Sequence, residues 1–478
     1  MADSLKQRTS KGVLWTFIDV VVRYGITFLV SIVLARLLSP VEYGLIGILT
    51  IFINLFNVIV DGGFTNAIIR KQAAKHIDYC TVFYTNIAIS IALCISLYIC
   101  AGPIASFFQQ PDLRPLTQVM SFVVIINAFA IVPKAKLTKE INFKSQTTIA
   151  VIAAIASGII GVVLAYLGYG VWALVWQQLS CQIINTVGLW IVVKWMPTLN
   201  FSTDSFKSLW DYGWKLLVSG VLGSLWTELY QIVIGKCYST DSLGLYTRAS
   251  QFSSLCSNNI STIIQKVSFP VLIKIQDDAS RLKEIYKRII KVTMLVTFVL
   301  LFGMAACSKS MIYVLIGEQW LECAPMLQIL CVSMAFIPLH GINTIAIQVV
   351  GRSDITLKLN IYKCIVNTIP LIIGVYTNIY WMLASSILTN LICYFLNVIY
   401  LSKLINYTFV EQVKDITPSF LVALGVFGVT YSVSIFDINL YLMFVLQIIV
   451  GGVSFLAISK ITKLYEFNLL LDFALKRK

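Results

Sequence analysis

Two residues of opposite charge lie within one long apolar stretch near the start of this chain. Asp19 and Arg23 fall inside residues 13–38, four positions apart and therefore on one face of a helix. Charge is costly to bury in hydrocarbon, so such residues usually face the interior of a helix bundle or a watery cavity. The pattern favours a charged lining for a polar passage. A salt bridge that only helps helices to pack is the alternative, and both interpretations stay open.

Further charged residues recur in three other apolar stretches, 44–67, 213–236 and 244–272. They are Asp61, Lys215, Glu228, Arg248 and Lys266. Together with the first pair, this set contains more cations than carboxylates, and a cationic cavity suits an anionic substrate that carries phosphate or pyrophosphate. Glu228 and Arg248 are expected in the outer half of the membrane, where they can pair. An alternative interpretation of Lys215 and Lys266 is that their side chains extend to the membrane interface and have no specific role.

The composition of the chain identifies the elements that must hold these residues. Of its 478 residues, 58% are hydrophobic and 12% are charged, whereas soluble domains carry about 25% charged residues. We therefore predict an all-α integral membrane protein with about fourteen transmembrane helices. The net charge of +14 is explained by the positive-inside rule, so a nucleic-acid partner is not expected.

The distribution of Lys and Arg predicts the orientation of these spans. Basic residues concentrate in the tails and in alternate loops, whereas Arg114 and Lys309 fall in the loops that are left for the outside. This asymmetry places both termini in the cytoplasm. The first apolar stretch is too long and too charged for a cleavable signal peptide, so it is interpreted as an uncleaved first span.

Two loops that are assigned to the inside have a distinctive composition. Trp195, Trp210 and Trp214 fit an aromatic belt at the membrane interface. The segment KIQDDASRLKEIYKRIIK, residues 274–291, has the pattern of a basic amphipathic helix on the membrane surface. A solvated connector is an equally good interpretation of that segment.

An internal repeat relates the two halves of the chain. The stretch ARLLSPVEYGL from Ala35 matches GKCYSTDSLGL from Gly235, so that Gly44 aligns with Gly244. A second match, PLTQ at 115–118 against PMLQ at 325–328, occurs in the same order and on the same predicted side. Because an even number of spans separates the copies, the repeats are parallel, which is a common transporter architecture. We predict an N-terminal lobe over 1–200, a C-terminal lobe over 201–402, and two further spans with a cytoplasmic tail over 403–478.

The sequence lacks the usual signatures of enzymes and of ATP-driven pumps. It contains no P-loop motif, and its two histidines, His76 and His340, lie far apart with no C-x-x-C pair. A metal site, a cofactor and catalysis are therefore disfavoured. Energy for transport is expected from an ion gradient, the membrane potential or the gradient of the substrate.

Four stretches carry a resemblance to a known family. They are GGFTNAIIRKQ from Gly62, LGYGVWALVWQQL from Leu167, FPVLIKIQDDASRLKEIYKRIIK from Phe269 and IGEQWLECAPMLQIL from Ile316. Each is moderately specific alone, but their succession along nearly the whole chain is highly specific. The chain resembles the polysaccharide flippases of the MOP (MATE/Wzx/MurJ) superfamily, in particular the Wzx and WzxC-type lipopolysaccharide or exopolysaccharide transporters.

The resemblance implies two six-helix lobes around a central cavity, with two C-terminal helices appended. The implied activity is that of a flippase in the bacterial inner membrane, which moves oligosaccharide repeat units linked to undecaprenyl pyrophosphate by alternating access. Membrane lipids, H+ or Na+ as coupling ion, and polysaccharide polymerase machinery are the implied partners. A MATE-like ion-coupled small-molecule antiporter is the alternative within the superfamily, although it would favour an acidic cavity.

The family has no short signature that assigns roles to single residues. Given the implied substrate, Arg23 is the first candidate for binding the pyrophosphate, followed by Arg248, Lys266 and Lys215. The three carboxylates are candidates for ion coupling or for holding those cations in place: Asp19, Asp61 and Glu228. A membrane-bound polymerase or ligase is a third possibility, but such an enzyme is expected to have a large outside loop, and every outside loop here is short.

Overall fold

The computed structural model describes residues 25–71, 74–140, 142–273, 275, 278–350, 352–462, 464, 466 and 467. Within these ranges, the side chains of residues 263, 266, 267, 269–271, 279, 353, 354 and 357 are not described. The described part of the chain is almost entirely α-helical and contains no strand. The predicted all-α fold class is therefore confirmed.

The chain forms two compact units, an N-terminal unit up to Gly244 and a C-terminal unit from Leu245 onward. The helices of the N-terminal unit are α1 (Gly25–Leu37), α2 (Pro40–Asp61), α3 (Phe64–Arg70), α4 (His76–Phe108), α5 (Leu113–Lys139), α6 (Phe143–Tyr166), α7 (Val171–Val193) and α8 (Thr203–Cys237). Helix α9 (Thr240–Ile273) begins in this unit and continues into the next. The lobe boundaries that the sequence suggested, after residues 200 and 402, stay predictions.

The C-terminal unit contains most of α9 and eight further α-helices among its described residues. They are α10 (Ala279–Ala306), α11 (Ser308–Ile316), α12 (Cys323–Met334), α13 (Ile337–Val349), α14 (Ser353–Tyr376), α15 (Ile379–Ile405), α16 (Phe409–Ser432) and α17 (Leu440–Ile461). Two short 3-10 turns accompany them, at Glu318–Trp320 and Val433–Ile435.

Eleven helical segments of the described chain are long and apolar enough to cross a membrane. Helices α2 and α3 form one of these segments, Pro40–Arg70, and α12 and α13 form another, Cys323–Val349. Helices α7 and α9 stand where two further spans were expected but are not among the eleven, and the described part of α1 is shorter than a span. The structure thus bears out a multi-pass helical protein, and the count of about fourteen stays a prediction.

Large apolar side chains on the outside of the helices fit this interpretation. Ile99 on α4, Leu222 on α8, Leu388 on α15 and Val453 on α17 are each about 60% exposed or more. A soluble monomer rarely exposes continuous apolar surface of this extent. Hydrocarbon rather than water is therefore the expected neighbour of these side chains.

The start and the end of α2 follow from local sequence. Ser39 is the N-cap, its backbone N–H donates to Glu42 Oε2 at 2.6 Å, and Pro40 occupies the first helical position. At the other end, Gly62 and Gly63 adopt φ of +55° and +72°, a region that glycine enters without steric cost. The pair ends α2 and starts α3 in a new direction, which accounts for the double glycine at the head of GGFTNAIIRKQ.

The basic segment 274–291 is neither a surface helix nor a solvated connector where the structure describes it. From residue 279 it is the first part of α10, continuous with the span that follows. Leu282, Tyr286 and Ile290 recur at a spacing of four residues and are fully buried. This apolar stripe packs α10 against its neighbours, which is why the segment does not lie flat on a membrane surface.

The lysines of α10 pair with carboxylates of α16. Lys283 contacts Glu411 at 2.9 Å, while Lys287 and Lys291 contact Asp415 at 3.4 and 3.1 Å. Tyr407 donates its hydroxyl to Asp415 at 2.7 Å. Burial, and then this hydrogen bond, raise the pKa of Tyr407. We call this arrangement, Lys283, Lys287, Lys291, Tyr407, Glu411 and Asp415, the α10–α16 clamp.

Trp195 differs from the interfacial position that the sequence suggested. Its side chain is only 5% exposed, its ring packs against Phe83 and Trp190, and its Nε1–H donates to His76 Nδ1 at 3.2 Å. The aromatic surface of α4 and α7 offers more apolar contact than an interface does, so this indole is part of a core. Trp214 is 43% exposed, as a belt residue would be.

Candidate functional site

Helix α2 carries a polar stripe along one face. Asn54, Asn57 and Asp61 are separated by three and four residues, a spacing that puts them on the same side of a helix. The surrounding segment is otherwise strongly apolar. Each polar side chain of the stripe is hydrogen-bonded inside the N-terminal unit; Asn54 is exposed, and Asn57 and Asp61 are half-buried.

Glu228 on α8 is the carboxylate that this stripe holds. Its side chain is 5% exposed. Asn54 Nδ2 donates to its Oε1 at 3.0 Å, and Gln231 Nε2 donates to its Oε2 at 2.6 Å. Within the described part of the N-terminal unit, Glu228 makes no salt bridge. The two amides that hold this buried carboxylate are neutral, so they do not balance its charge, and a proton or a bound cation can do so.

A chain of amides extends from the same face of α2 into two more helices. Asn127 of α5 donates to Asn57 Oδ1 at 2.8 Å, and its own Oδ1 accepts from Gln182 Nε2 of α7 at 2.8 Å. We call Asn54, Asn57, Asn127, Gln182, Glu228 and Gln231 the amide network. It joins α2, α5, α7 and α8 through polar contacts inside an apolar unit. Sequence reasoning missed Asn127 and Gln182, because an uncharged amide within an apolar span gives little signal.

Asp61 lies at the last turn of α2, where its carboxylate accepts the hydroxyl of Thr65. The turn next to it approaches α8 so closely that a Cβ on Gly63 would lie 2.5 Å from the carbonyl oxygen of Gly213. Lys215 is two residues further along α8, exposed, with Nζ 6.0 Å from the ring centre of Trp214. Asp61 and Lys215 therefore lie at one end of the α2–α8 crossing, and Glu228 lies further along it.

Arg248 on α9 is packed into the C-terminal unit. Its side chain is 3% exposed, one terminal nitrogen donates to Gln251 Oε1, and the guanidinium carbon lies 5.7 Å from the ring centre of the fully buried Trp320. A guanidinium over an indole is a favourable cation–π arrangement. These contacts fix the charge in position.

Three predicted site residues are not placed by the structure. Asp19 and Arg23 lie outside the described residues, and the side chain of Lys266 is not described. The pairing of Glu228 with Arg248 would join the two units and stays a prediction. The roles of all seven candidate site residues are likewise predictions rather than findings.

The C-terminal unit holds two polar pairs that the sequence did not predict. Asn397 Nδ2 lies 3.0 Å from His340 Nδ1, and Tyr286 donates its hydroxyl to Asn343 Oδ1. His340 and Asn343 are three residues apart on α13 and share a face. Within the described part of the chain, no group of three or more His, Cys, Asp or Glu side chains is placed to hold a metal ion.

Comparison with known proteins gives consistent relatives. The chain is 25% identical to the lipopolysaccharide biosynthesis protein WzxC of Escherichia coli K12 over 382 residues, which cover 78% of this chain and 76% of WzxC. It is 24% identical to the succinoglycan biosynthesis transport protein ExoT of Rhizobium meliloti, over 68% of this chain and 66% of ExoT. Its fold matches that of the lipid II flippase MurJ in an inward closed conformation, with a TM-score of 0.77, 16% identity, and coverage of 94% of this chain and 98% of MurJ.

The match to a family model is broad enough to assign membership. The model described as "Polysaccharide biosynthesis protein" matches residues 33–325, which is more than half of the 478 residues. The matched range includes the whole amide network and Arg248. The fold is that of the MOP superfamily, as the sequence resemblance predicted, and the chain belongs to the polysaccharide biosynthesis protein family.

Proposed function

We propose that this protein is a flippase for oligosaccharide repeat units linked to undecaprenyl pyrophosphate. It moves them across the bacterial inner membrane by alternating access, for the synthesis of lipopolysaccharide, capsule or exopolysaccharide. Both termini face the cytoplasm, and the coupling ion is H+ or Na+. Completed units are handed to the polysaccharide polymerase machinery on the outside.

The observation that carries this proposal is the amide network, a set of hydrogen-bonded polar side chains on four apolar helices. The chain that carries it belongs to a polysaccharide biosynthesis family. A lipid-linked sugar is amphipathic, so its tail can stay in the bilayer while its head needs a polar path. The names of the relatives support the same substrate class, since WzxC and ExoT are named for lipopolysaccharide and succinoglycan biosynthesis and MurJ for lipid II.

The candidate site residues divide into two groups under this proposal. Arg23, Arg248, Lys266 and Lys215 bind the pyrophosphate, because guanidinium and ammonium groups form strong charge-assisted hydrogen bonds to phosphate oxygens. The carboxylates Asp19, Asp61 and Glu228 couple an ion or hold those cations in place. Glu228 is the best supported of the three, since it is buried and its hydrogen-bond partners among the described residues are the neutral amides Asn54 and Gln231.

Complementation of a strain that lacks its own polysaccharide flippase tests the proposal. The wild-type chain is expected to restore surface glycan, and Arg23→Ala is expected to let the lipid-linked intermediate accumulate inside. Arg23→Lys, which keeps the charge, and Lys309→Ala, which removes an exposed cation elsewhere, serve as matched controls. A wild-type chain that restores no glycan from any of several donor strains would contradict the proposal.

A second candidate is an ion-coupled small-molecule antiporter, and the buried carboxylate Glu228 is the observation that favours it. The fold also matches a MATE multidrug transporter in its inward-facing conformation, with a TM-score of 0.62. The two candidates differ in the charge of their ligand. Binding of organic cations by the purified protein, without binding of lipid-linked sugars, would favour the antiporter.

A further inference from the structure

A polar cavity of about 230 Å³ opens at one end of the N-terminal unit. It lies where the last turn of α4, the last turn of α8 and the first turn of α9 meet. Phe107, Gln109, Gln110, Lys236, Tyr238 and Ser239 are among the residues that line it. None of these residues belongs to the amide network, so the cavity is a separate feature of the fold. We call it the end pocket.

Lys236 supplies the charge of the end pocket. Its Nζ donates to the carbonyl oxygen of Phe107 at 2.5 Å and lies 4.4 Å from the centre of the Phe107 ring. The first contact satisfies one of the carbonyls that the end of α4 leaves without a helical partner. An ammonium has three N–H donors, and capping α4 occupies one of them. Capping of α4 therefore leaves two of the three N–H groups of Lys236 for a ligand or for water.

Two neighbouring glutamines add uncharged donors and acceptors. Gln109 and Gln110 follow α4, with Gln109 in the left-handed conformation at φ 55°, and neither side chain makes a hydrogen bond to another described residue. Tyr238 and Ser239 also line the pocket, but the Ser239 hydroxyl already donates to Ser242 Oγ at 2.9 Å and accepts the backbone N–H of Ser242 at 3.0 Å. Side-chain amides and hydroxyls offer both donors and acceptors, which is what the hydroxyl groups of a sugar require.

The side of the membrane on which the end pocket opens determines which ligands can reach it. The pocket lies at the α4–α5 loop and the α8–α9 loop, and the positive-inside rule predicts both loops on the outside. The volume is below the roughly 300–1,000 Å³ of a typical small-molecule site, so it suits a single ring or a short group rather than a whole repeat unit. A ligand here combines hydroxyl groups with a negative charge, because the pocket combines amides with an ammonium.

We propose that the end pocket binds an acidic sugar residue of the translocated oligosaccharide as the head group reaches the outside. Lys236 contacts the sugar carboxylate, and Gln109 and Gln110 contact the ring hydroxyls. This inference rests on the proposed flippase function and adds the chemical class of the sugar to it. A neutral sugar would leave the two remaining N–H groups of Lys236 to water, which makes it the weaker ligand.

Binding of glucuronate to the purified full-length protein tests the inference. Ligand-observed NMR measures the affinity, with glucose and acetate as the comparison ligands. We expect glucuronate to bind about tenfold or more tightly than either one, since glucose lacks the charge and acetate lacks the hydroxyls. Lys236→Met is expected to lose about tenfold or more in affinity, and Lys236→Arg to retain most of it.

The controls separate binding from folding. Because Lys236 also caps α4, thermal unfolding without ligand is measured for each variant, and Gln110→Ala provides a second test that leaves the cap intact and is expected to weaken glucuronate binding. Lys309→Met removes an exposed cation elsewhere and is expected to bind as wild type. Equal affinity for acetate and glucuronate, or unchanged affinity in folded Lys236→Met and Gln110→Ala, overturns the inference. Restored glycan in the complementation strain alongside either result would leave the flippase function standing.

Discussion

Among single residues, Glu228 has the environment that best fits ion coupling. Two neutral amides orient both of its oxygens, and its side chain is almost completely buried. Neither amide carries a charge, so a transported cation can neutralise this carboxylate without breaking a salt bridge within the described part of the N-terminal unit. The carboxylate of Asp61 accepts the hydroxyl of Thr65 at the end of α2. A local role in stabilising this helix end is therefore enough to explain Asp61.

Replacement of Glu228 by Gln tests this difference. The variant keeps the shape and one hydrogen-bond acceptor but removes the titratable charge, so the fold is expected to survive. We expect transport to fall about fivefold or more, in line with typical coupling free energies, and to lose its dependence on pH or Na+. Export is measured in proteoliposomes with imposed ion gradients. The matched variant Asp61→Asn is expected to keep the ion dependence. If transport by Glu228→Gln still depends on pH or Na+ as in the wild type, the coupling role is contradicted.

The candidate site was predictable from the sequence where charge marks it. Asp61 and Glu228 stand out because a carboxylate inside an apolar span is rare. Asn127 and Gln182 do not, since amides occur in spans for many reasons and their pairing depends on how four helices pack. Arg248 was recognised as a charge within a span, but its packing on Trp320, 72 positions away, depends on tertiary structure alone.

At the scale of helices, the glycines of the internal repeat have a direct structural purpose. A Cβ on Gly44 would lie 1.9 Å from the carbonyl oxygen of Thr240, and a Cβ on Gly244 would lie 1.9 Å from that of Pro40. The start of α2 thus meets the first turn of α9 through positions that the sequence repeat aligns. Such a close backbone approach is possible only where both helices carry glycine.

The crossing predicts a marked effect of Gly44→Ala. The added methyl group meets backbone rather than a flexible side chain, so the helices must separate, at a cost of about 1–3 kcal/mol in the free energy of unfolding. Thermal unfolding of the purified protein measures the change. Gly102→Ala on α4 is the matched control, since no atom lies within 4 Å of its Cβ position, and it is expected to be neutral or slightly stabilising. Equal stability of the two variants would contradict the tight crossing.

The α10–α16 clamp predicts a second effect on stability. Asp415 accepts from Tyr407 and pairs with Lys287 and Lys291, so Asp415→Asn removes both ion pairs, although Lys291 keeps a longer contact with Glu466 at 3.6 Å. Because these side chains are partly exposed, we expect a loss of about 1 kcal/mol, which diminishes at high salt. Glu284→Gln, which breaks an exposed pair with Arg288, is expected to cost less than about 0.5 kcal/mol. Chemical unfolding at low and high salt distinguishes the two, and a salt-independent loss would argue against an ionic clamp.

For the whole molecule, the sequence indicates where apolar helices occur more directly than it indicates how they pack together. Hydropathy locates spans because each helix must satisfy its backbone hydrogen bonds within itself, and the turn at Gly168 and Gly170 follows from the positive φ that both adopt. The division into units after Gly244 was not predictable. It depends on which helices pack together, and α8 packs on the turn that follows α2 through Gly63 and Gly213.

The orientation in the membrane is a prediction that the proposed function and the end pocket share. Cys237 ends α8 beside the end pocket and is exposed, so it is expected to react with a membrane-impermeant maleimide from outside intact cells. The test uses a Cys100→Ser background, because Cys100 is the other exposed cysteine.

Two variants make the result decisive. Cys237→Ser is expected to abolish labelling from outside. Ser280→Cys, at an exposed position near the start of α10, is expected to react only after the membrane is permeabilised. Labelling of residue 280 rather than residue 237 in intact cells would invert the topology. An inverted topology would place the end pocket on the cytoplasmic side, where an acidic sugar would be met at loading rather than at release.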